Sequence, residues 1–226
     1  MDLLEGLATT RAIRRYTDEP VTDEHLATIL WSATRAPSGS NRQAFRFLVL
    51  RHAPEARAIL AKAARQLWSA KRAADGYDRG SGNVATSPKA RMARTMEHYT
   101  EHFAEAPVIV LGCLIRHRDP FPLEGASIYP ACQNLLLAAR ALGLGGVLTQ
   151  LQGLVDAELR ALLGIPESVG LHATITLGHP VGGHGPVRRR PVQEMVYEDR
   201  WEQPAPWAVD PEGTRFTTAG PPKAQK

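Results

Sequence analysis

Apolar and polar positions along the chain repeat with periods that mark out its elements. Residues 2–10 read as a short first helix and residues 12–16 as an arginine-rich exit from it. Thr22 is placed to cap a second helix, with Asp23 and Glu24 in the first turn, where the helix dipole favours acids. Leu26, Ile29, Leu30 and Ala33 then mark one buried face, and Pro37 ends the helical stretch. Residues 44–51 set Phe45, Phe47 and Val49 against Arg46, Leu48 and Leu50, dense enough in apolar side chains for a mostly buried strand. Helices are expected over residues 54–74 and, with Pro88 in its first turn, to about residue 103. Residues 107–115 form a central strand apolar on both faces, and residues 129–142 a buried helix broken at Gly143. A short strand over residues 147–151 precedes a helix over 156–163, which Gly164 and Pro166 stop. Residues 171–177 and 192–197 supply the last strands. Strands separated by long helices, with neither βαβ regularity nor internal repeat, predict an α+β layer fold with a sheet flanked by helices.

Two stretches break the pattern. Residues 75–87 (DGYDRGSGNVATS) are rich in Gly, Ser and Asp and read as a mobile loop or insertion. From Trp201 the chain carries Pro204, Pro206, Pro211, Pro221 and Pro222 without periodicity, which predicts an extended or disordered tail over residues 201–226 after a domain of residues 1–200.

Composition narrows the class. With 226 residues, 43% apolar and 22% charged, the chain can bury a sizeable core and should be soluble. Acids near the N-terminus, and no apolar run approaching the ~18 residues of a membrane span, point to a cytoplasmic protein. Cys113 and Cys132 lie in apolar runs without a CxxC partner and read as buried free thiols. The net charge of +4 comes with no nucleic-acid motif, so the local arginine runs point to an anion at one spot.

Candidate chemistry concentrates in few places. APSGSNRQAFRF, residues 36–47, joins a helix to a strand through Pro37, Ser38, Gly39, Ser40 and Asn41, which break helices or bond their own backbone. It is either an ordinary connection or a rigid polar loop through which short side chains approach a planar or phosphorylated ligand. Arg11, Arg14 and the run Arg188, Arg189, Arg190 are either a solvated surface or, if they converge, a phosphate site of paired guanidiniums. His98-Tyr99-Thr100-Glu101-His102 fits a zinc-peptidase pattern, but its helix is surface-like and no further acid stands out downstream. Solvated histidines are the default there, and no metal is assigned. Gly143-Leu144-Gly145-Gly146 follows a helix rather than a strand, so a dinucleotide fingerprint is rejected. Neither a GxSxG elbow nor a GxxxxGK loop is present.

TTRAIRRYTDEPV near the start, APSGSNRQAFRF, and ALGLGGVLTQ followed by LGHPV and VRRRPVQEMV occur in an order that resembles the flavin-dependent nitroreductase family. The resemblance covers residues 2–197 apart from 68–105, where the family varies most and shapes its substrate pocket. It implies an intertwined α+β homodimer with FMN at each of two interface sites. On that analogy Arg11 and Arg14 sit at the phosphate and ribityl end with an arginine of the Arg188–Arg190 run, Arg189 matching best. Pro37, Ser38 and Gly39 line the partner's flavin, Asn41 and Gln43 bond the ribityl chain or ring edge, and Leu148, Thr149 and Gln150 pass along the ring. A backbone N–H or the Thr149 hydroxyl would lie near the flavin N5. Thr10 and Ala12 depart from the family's arginine and serine, so one phosphate contact is missing or replaced, and Gln43-Ala44-Phe45 replaces Gln-Pro-Trp. The implied activity is ping-pong transfer of hydride from NAD(P)H through flavin N5 to a small electron-poor acceptor such as a nitroaromatic or quinone. Other members of the family dehalogenate reductively or fragment flavin, and a non-catalytic flavin-binding protein is the rival of a different class.

Overall fold

The computed structural model describes residues 1–77 and 87–211. Contacts divide the described residues into two units, one within residues 12–183 and a terminal unit joining residues 1–11 to residues 184–211.

The larger unit is built on four strands, β1 (Phe45–Leu50), β2 (Val108–Ile115), β3 (Gly145–Thr149) and β4 (Val169–Gly178). They form one antiparallel sheet in the order β1-β2-β4-β3. Helices α2 (Asp23–Ala33) and α5 (Tyr129–Ala141) cover one face. Leu26, Ile29, Cys132 and Leu135 pack there against Phe45, Val110, Ile175 and Leu177. The other face is covered by α3 (Pro54–Ala74), α4 (Pro88–Glu101) and α6 (Asp156–Leu163), where Leu60, Tyr99 and Leu159 meet Ile109, Leu111 and Val147. Successive residues of β2 feed opposite layers, which is why that strand reads as unbroken apolar sequence.

Local signals set the helix ends. Thr22 Oγ1 accepts the His25 N–H at 3.1 Å, Ser87 Oγ accepts the Ala90 N–H at 3.0 Å, and Gly164 closes α6 in the left-handed region at φ 64°. Arg57 threads between layers, donating to the carbonyls of Leu50 at 2.8 Å and Ala104 at 2.9 Å and to that of Ala106.

The register of β4 shifts once. Gly112 faces Ala173 and Cys113 faces Leu171, so His172 is an extra residue in the strand. Beyond it the faces exchange: Ala173, Ile175 and Leu177 belong to the first core, Val169 and Leu171 to the second. Sequence alternation carries no trace of this.

The terminal unit holds α1 (Leu3–Thr9), started by Asp2, whose Oδ1 accepts the Leu4 N–H at 2.8 Å. The Val187 N–H donates to Ala8 O at 2.9 Å, and the Val192 N–H to Asp210 Oδ1 at 3.1 Å. The strand expected over residues 192–197 does not form. Pro191 starts a 3-10 turn, Val192–Glu194, closed by Glu194 N–H to Pro191 O at 3.0 Å, and only Tyr197 makes a single bridge, to Pro204. The third strand begins at Gly145 rather than residue 147, and Leu151–Leu154 is a 3-10 turn. Most of the glycine-rich stretch expected as a loop, residues 78–86, and the tail from 212 lie outside the described residues.

Candidate functional site

The connection after α2 is a constrained turn. Ser40, Asn41 and Gln43 all have positive φ, at 51°, 50° and 48°, uncommon for residues with a side chain and costly enough to require support. That support is local: Ser38 Oγ accepts the Gln43 N–H at 2.9 Å, and Ser127 Oγ accepts the Gly39 N–H at 3.3 Å. Pro37, Gly39, Asn41 and Gln43 are exposed, and the side-chain amides of Asn41 and Gln43 make no hydrogen bond among the described residues.

On the opposite side of the sheet, β3 is the edge strand, and the chain at Ala12 and Ile13 touches its start. Ala12 forms a parallel bridge with Gly146, and the Ile13 N–H donates to Gly146 O at 3.0 Å. From there the chain turns along the end of β4: the Val181 N–H donates to Arg15 O at 3.0 Å and the Thr17 N–H to His179 O at 2.9 Å. Farther along β3, Leu148 and Thr149 are half-buried and Gln150 is exposed. Arg14 is half-buried, and its Nε is shielded from solvent without a hydrogen-bond partner among the described residues. A buried guanidinium nitrogen left in this state favours an anion or carbonyl oxygen brought from outside. Around it, Tyr16 OH meets Thr176 Oγ1 at 2.7 Å and Tyr99 OH meets the same oxygen at 3.1 Å. Burial pushes the Tyr99 phenol up to about 12 and raises Tyr16 further, so both stay neutral donors.

In the terminal unit, Arg11 is exposed, and its Nη1 lies 3.7 Å from where a Cβ on Gly185 would stand. Arg188 and Arg189 are exposed and Arg190 is half-buried, with Arg189 Nη1 donating to Arg188 O at 2.8 Å. Arg11 thus lies beside the chain that leads into the Arg188–Arg190 run.

A polar cluster that sequence reasoning missed lies between the turn and Gln150. Arg116 donates to Glu124 through Nε at 3.0 Å and Nη2 at 2.8 Å, and His172 Nε2 stands 3.2 Å from the same carboxylate. The Arg116 guanidinium holds the Glu124 carboxyl below its ordinary range, and burial holds His172 low and neutral. Tyr129 OH donates to the carbonyl of the bulged His172 at 3.4 Å, and Gln150 Nε2 donates to Tyr129 OH at 3.3 Å. A histidine inside an apolar strand, needing a partner, was the one available signal.

His98 and His102 do lie one turn apart on α4, with ring centroids 4.4 Å apart. His102 Nδ1 pairs with Glu105 at 2.8 Å, and among the described residues no group of three His, Cys, Asp or Glu side chains is arranged to hold a metal ion. Trp68 and Tyr99 are buried core, whereas Met92 is exposed. Cys113 and Cys132 are buried free thiols. No described helix is long and apolar enough to cross a membrane.

Similarity to known proteins agrees with this architecture. A Methanothermobacter thermautotrophicus protein provisionally named NADH dehydrogenase/NAD(P)H nitroreductase is 30% identical over 190 residues, covering 82% of this chain and 81% of its own. A solved nitroreductase homologue from Desulfovibrio desulfuricans, in complex with FMN, is 30% identical at a TM-score of 0.62, covering 89% of this chain and 98% of that one. A single-residue variant of an FMN- and NADPH-dependent nitroreductase from Sphigopyxis sp. strain HMH superposes at a TM-score of 0.67 with 25% identity, covering 89% and 100%. The profile of the nitroreductase family matches residues 7–179, most of the sheet and helices described above, and the chain belongs to that family.

Proposed function

We propose that this protein is an FMN-dependent oxidoreductase that uses NAD(P)H to reduce a small electron-poor acceptor, a nitroaromatic or a quinone, in a ping-pong cycle and as a homodimer. Family membership supplies the class, and the observation that carries the site is Arg14, whose shielded Nε has no partner among the described residues. The donor set fits FMN. Guanidiniums suit its phosphate, the free amides of Asn41 and Gln43 suit ribityl hydroxyls or ring carbonyls, and half-buried Leu148 and Thr149 offer a mixed wall to a flat ring. Arg14 takes the ribityl or phosphate end, and Arg11 with the Arg188–Arg190 run is assigned to the phosphate by the resemblance alone. When bound, FMN supplies the two-electron chemistry, accepting hydride at N5 and passing it on.

The residues of the chain orient and tune. Thr149 Oγ1 donates its hydrogen to Thr174 O at 3.0 Å, which leaves that hydroxyl only able to accept. With that hydroxyl committed, the main-chain N–H groups at the end of β3 would be the donors available to the flavin N5. Gln150, steadied by Tyr129, holds the end of β3. No side chain is assigned as an acid or base, and the product's proton comes from water. Initial-rate kinetics test the cycle: parallel double-reciprocal lines when NADPH is varied at several quinone concentrations support it. Intersecting lines contradict the ping-pong order, and FMN retention without any NAD(P)H oxidation contradicts catalysis.

A further inference from the structure

A cleft of about 200 Å³ opens between the Ser38–Ser40 turn, the end of β2 and the loop that follows it. Its charges do not balance. Among the described residues Glu124 is the single carboxylate lining it, and both Arg116 nitrogens already occupy that group. Arg42 and Arg118 line the same cleft, and neither guanidinium has a hydrogen-bond or ion-pair partner among the described residues. The Arg118 guanidinium carbon lies 3.6 Å over the centre of the Phe121 ring, which steadies it flat against one wall.

The hydroxyls add donors. Ser38 Oγ and Ser127 Oγ each accept a backbone N–H from the turn, at 2.9 and 3.3 Å, and so each keeps its own hydrogen to give. The lining thus offers two uncommitted guanidiniums and two hydroxyl hydrogens, with its one carboxylate already neutralised. A flat or tetrahedral oxyanion is the ligand chemistry that such a set recognises. The volume is below the range for a whole cofactor pocket, so one charged end of a molecule is seated, not a dinucleotide.

We infer that this cleft is an oxyanion subsite, binding the charged end of a small molecule that the enzyme uses: a carboxylate on an aromatic acceptor, or the 2′-phosphate of NADPH. The identity of the molecule rests on the redox function proposed above; the anion site itself does not. Arg42 and Arg118 are exposed, so Arg42→Met and Arg118→Met should fold, which unchanged melting temperatures verify.

The test uses the FMN-loaded, full-length protein. Calorimetric titration with 4-nitrobenzoate and with its neutral counterpart 4-nitrobenzamide, and with NADP⁺ and NAD⁺, which carry the same phosphates as the reduced donors but cannot reduce the flavin, is run on wild type and on the double variant. A loss of roughly tenfold or more in affinity, the scale of a hydrogen bond to a charged group, is expected for one anionic member of a pair, with its neutral or unphosphorylated counterpart within about twofold. Loss confined to 4-nitrobenzoate assigns the cleft to the acceptor, and loss confined to NADP⁺ assigns it to the 2′-phosphate of the donor. Equal changes within both pairs, or none, overturn the inference. Because binding is read without turnover, an inactive protein would refute the redox reading while leaving this result interpretable.

Discussion

Single residues carry the chemistry, and they differ in how openly the sequence announces them. Arg14 stands in an arginine-rich run that invites an anion reading, yet only the fold shows that its Nε is shielded and has no hydrogen-bond partner among the described residues. Arg189 is the sharper case for measurement. Arg189→Ala should weaken FMN binding by about 1.5–3 kcal/mol, read as quenching of flavin fluorescence on titration, and an unchanged dissociation constant would remove Arg189 from the phosphate site. Glu124 was invisible in sequence because its partners lie 8 and 48 residues away and none belongs to a motif. Its consequence is a pH dependence. The Glu124 pKa is depressed from 4.5 in the fold, so the bridge to Arg116 stabilises fully above that value and is lost as pH falls through the folded pKa. Glu124→Gln should therefore melt below wild type at about pH 7, with the two curves converging as pH falls below the ordinary carboxylate range. A gap that stays constant over that range would mean that the charge on Glu124 contributes nothing.

At the scale of elements, most of the secondary structure was legible because short-range chemistry sets it. Thr22, Pro88 and Gly164 act at the helix ends where their side chains or backbone predict. The failures are long-range. Of residues 192–197, expected as a strand, only Tyr197 is bridged, to Pro204, and Pro191 turns the chain instead. Gly145 and Gly146 read as breakers and are the start of β3, because a Cβ on Gly146 would stand 2.5 Å from Thr176 O and 2.7 Å from Leu177 Cδ2. That contact with main chain cannot be relieved by a rotamer change. Gly146→Ala should cost about 1–3 kcal/mol in chemical denaturation, the range for overpacking, and should loosen the Ala12–Arg14 segment held on the same residue. Gly153→Ala, where nothing lies within 4 Å, is the control and should be close to neutral. If both substitutions were equally mild, β3 would not be packed as described. The bulge at His172 belongs to the same class of feature: it exists only in the pairing of β4 with β2, and it aims a histidine at Glu124.

Across the whole molecule, the family was legible from three ordered motifs, while the turn, the arginines and the end of β3 acquire meaning only from where the fold puts them. On the function proposed above, guanidiniums would take the phosphate of a flavin, the free amides its ribityl chain, and the end of β3 its ring. The most direct test is the absorbance of the purified protein between about 300 and 600 nm, the span of oxidised-flavin bands, recorded before and after anaerobic addition of NADPH and then NADH. Paired flavin bands that bleach with either donor are the predicted result. A colourless protein that takes up no added FMN, or bound flavin that neither donor bleaches, would contradict the central claim.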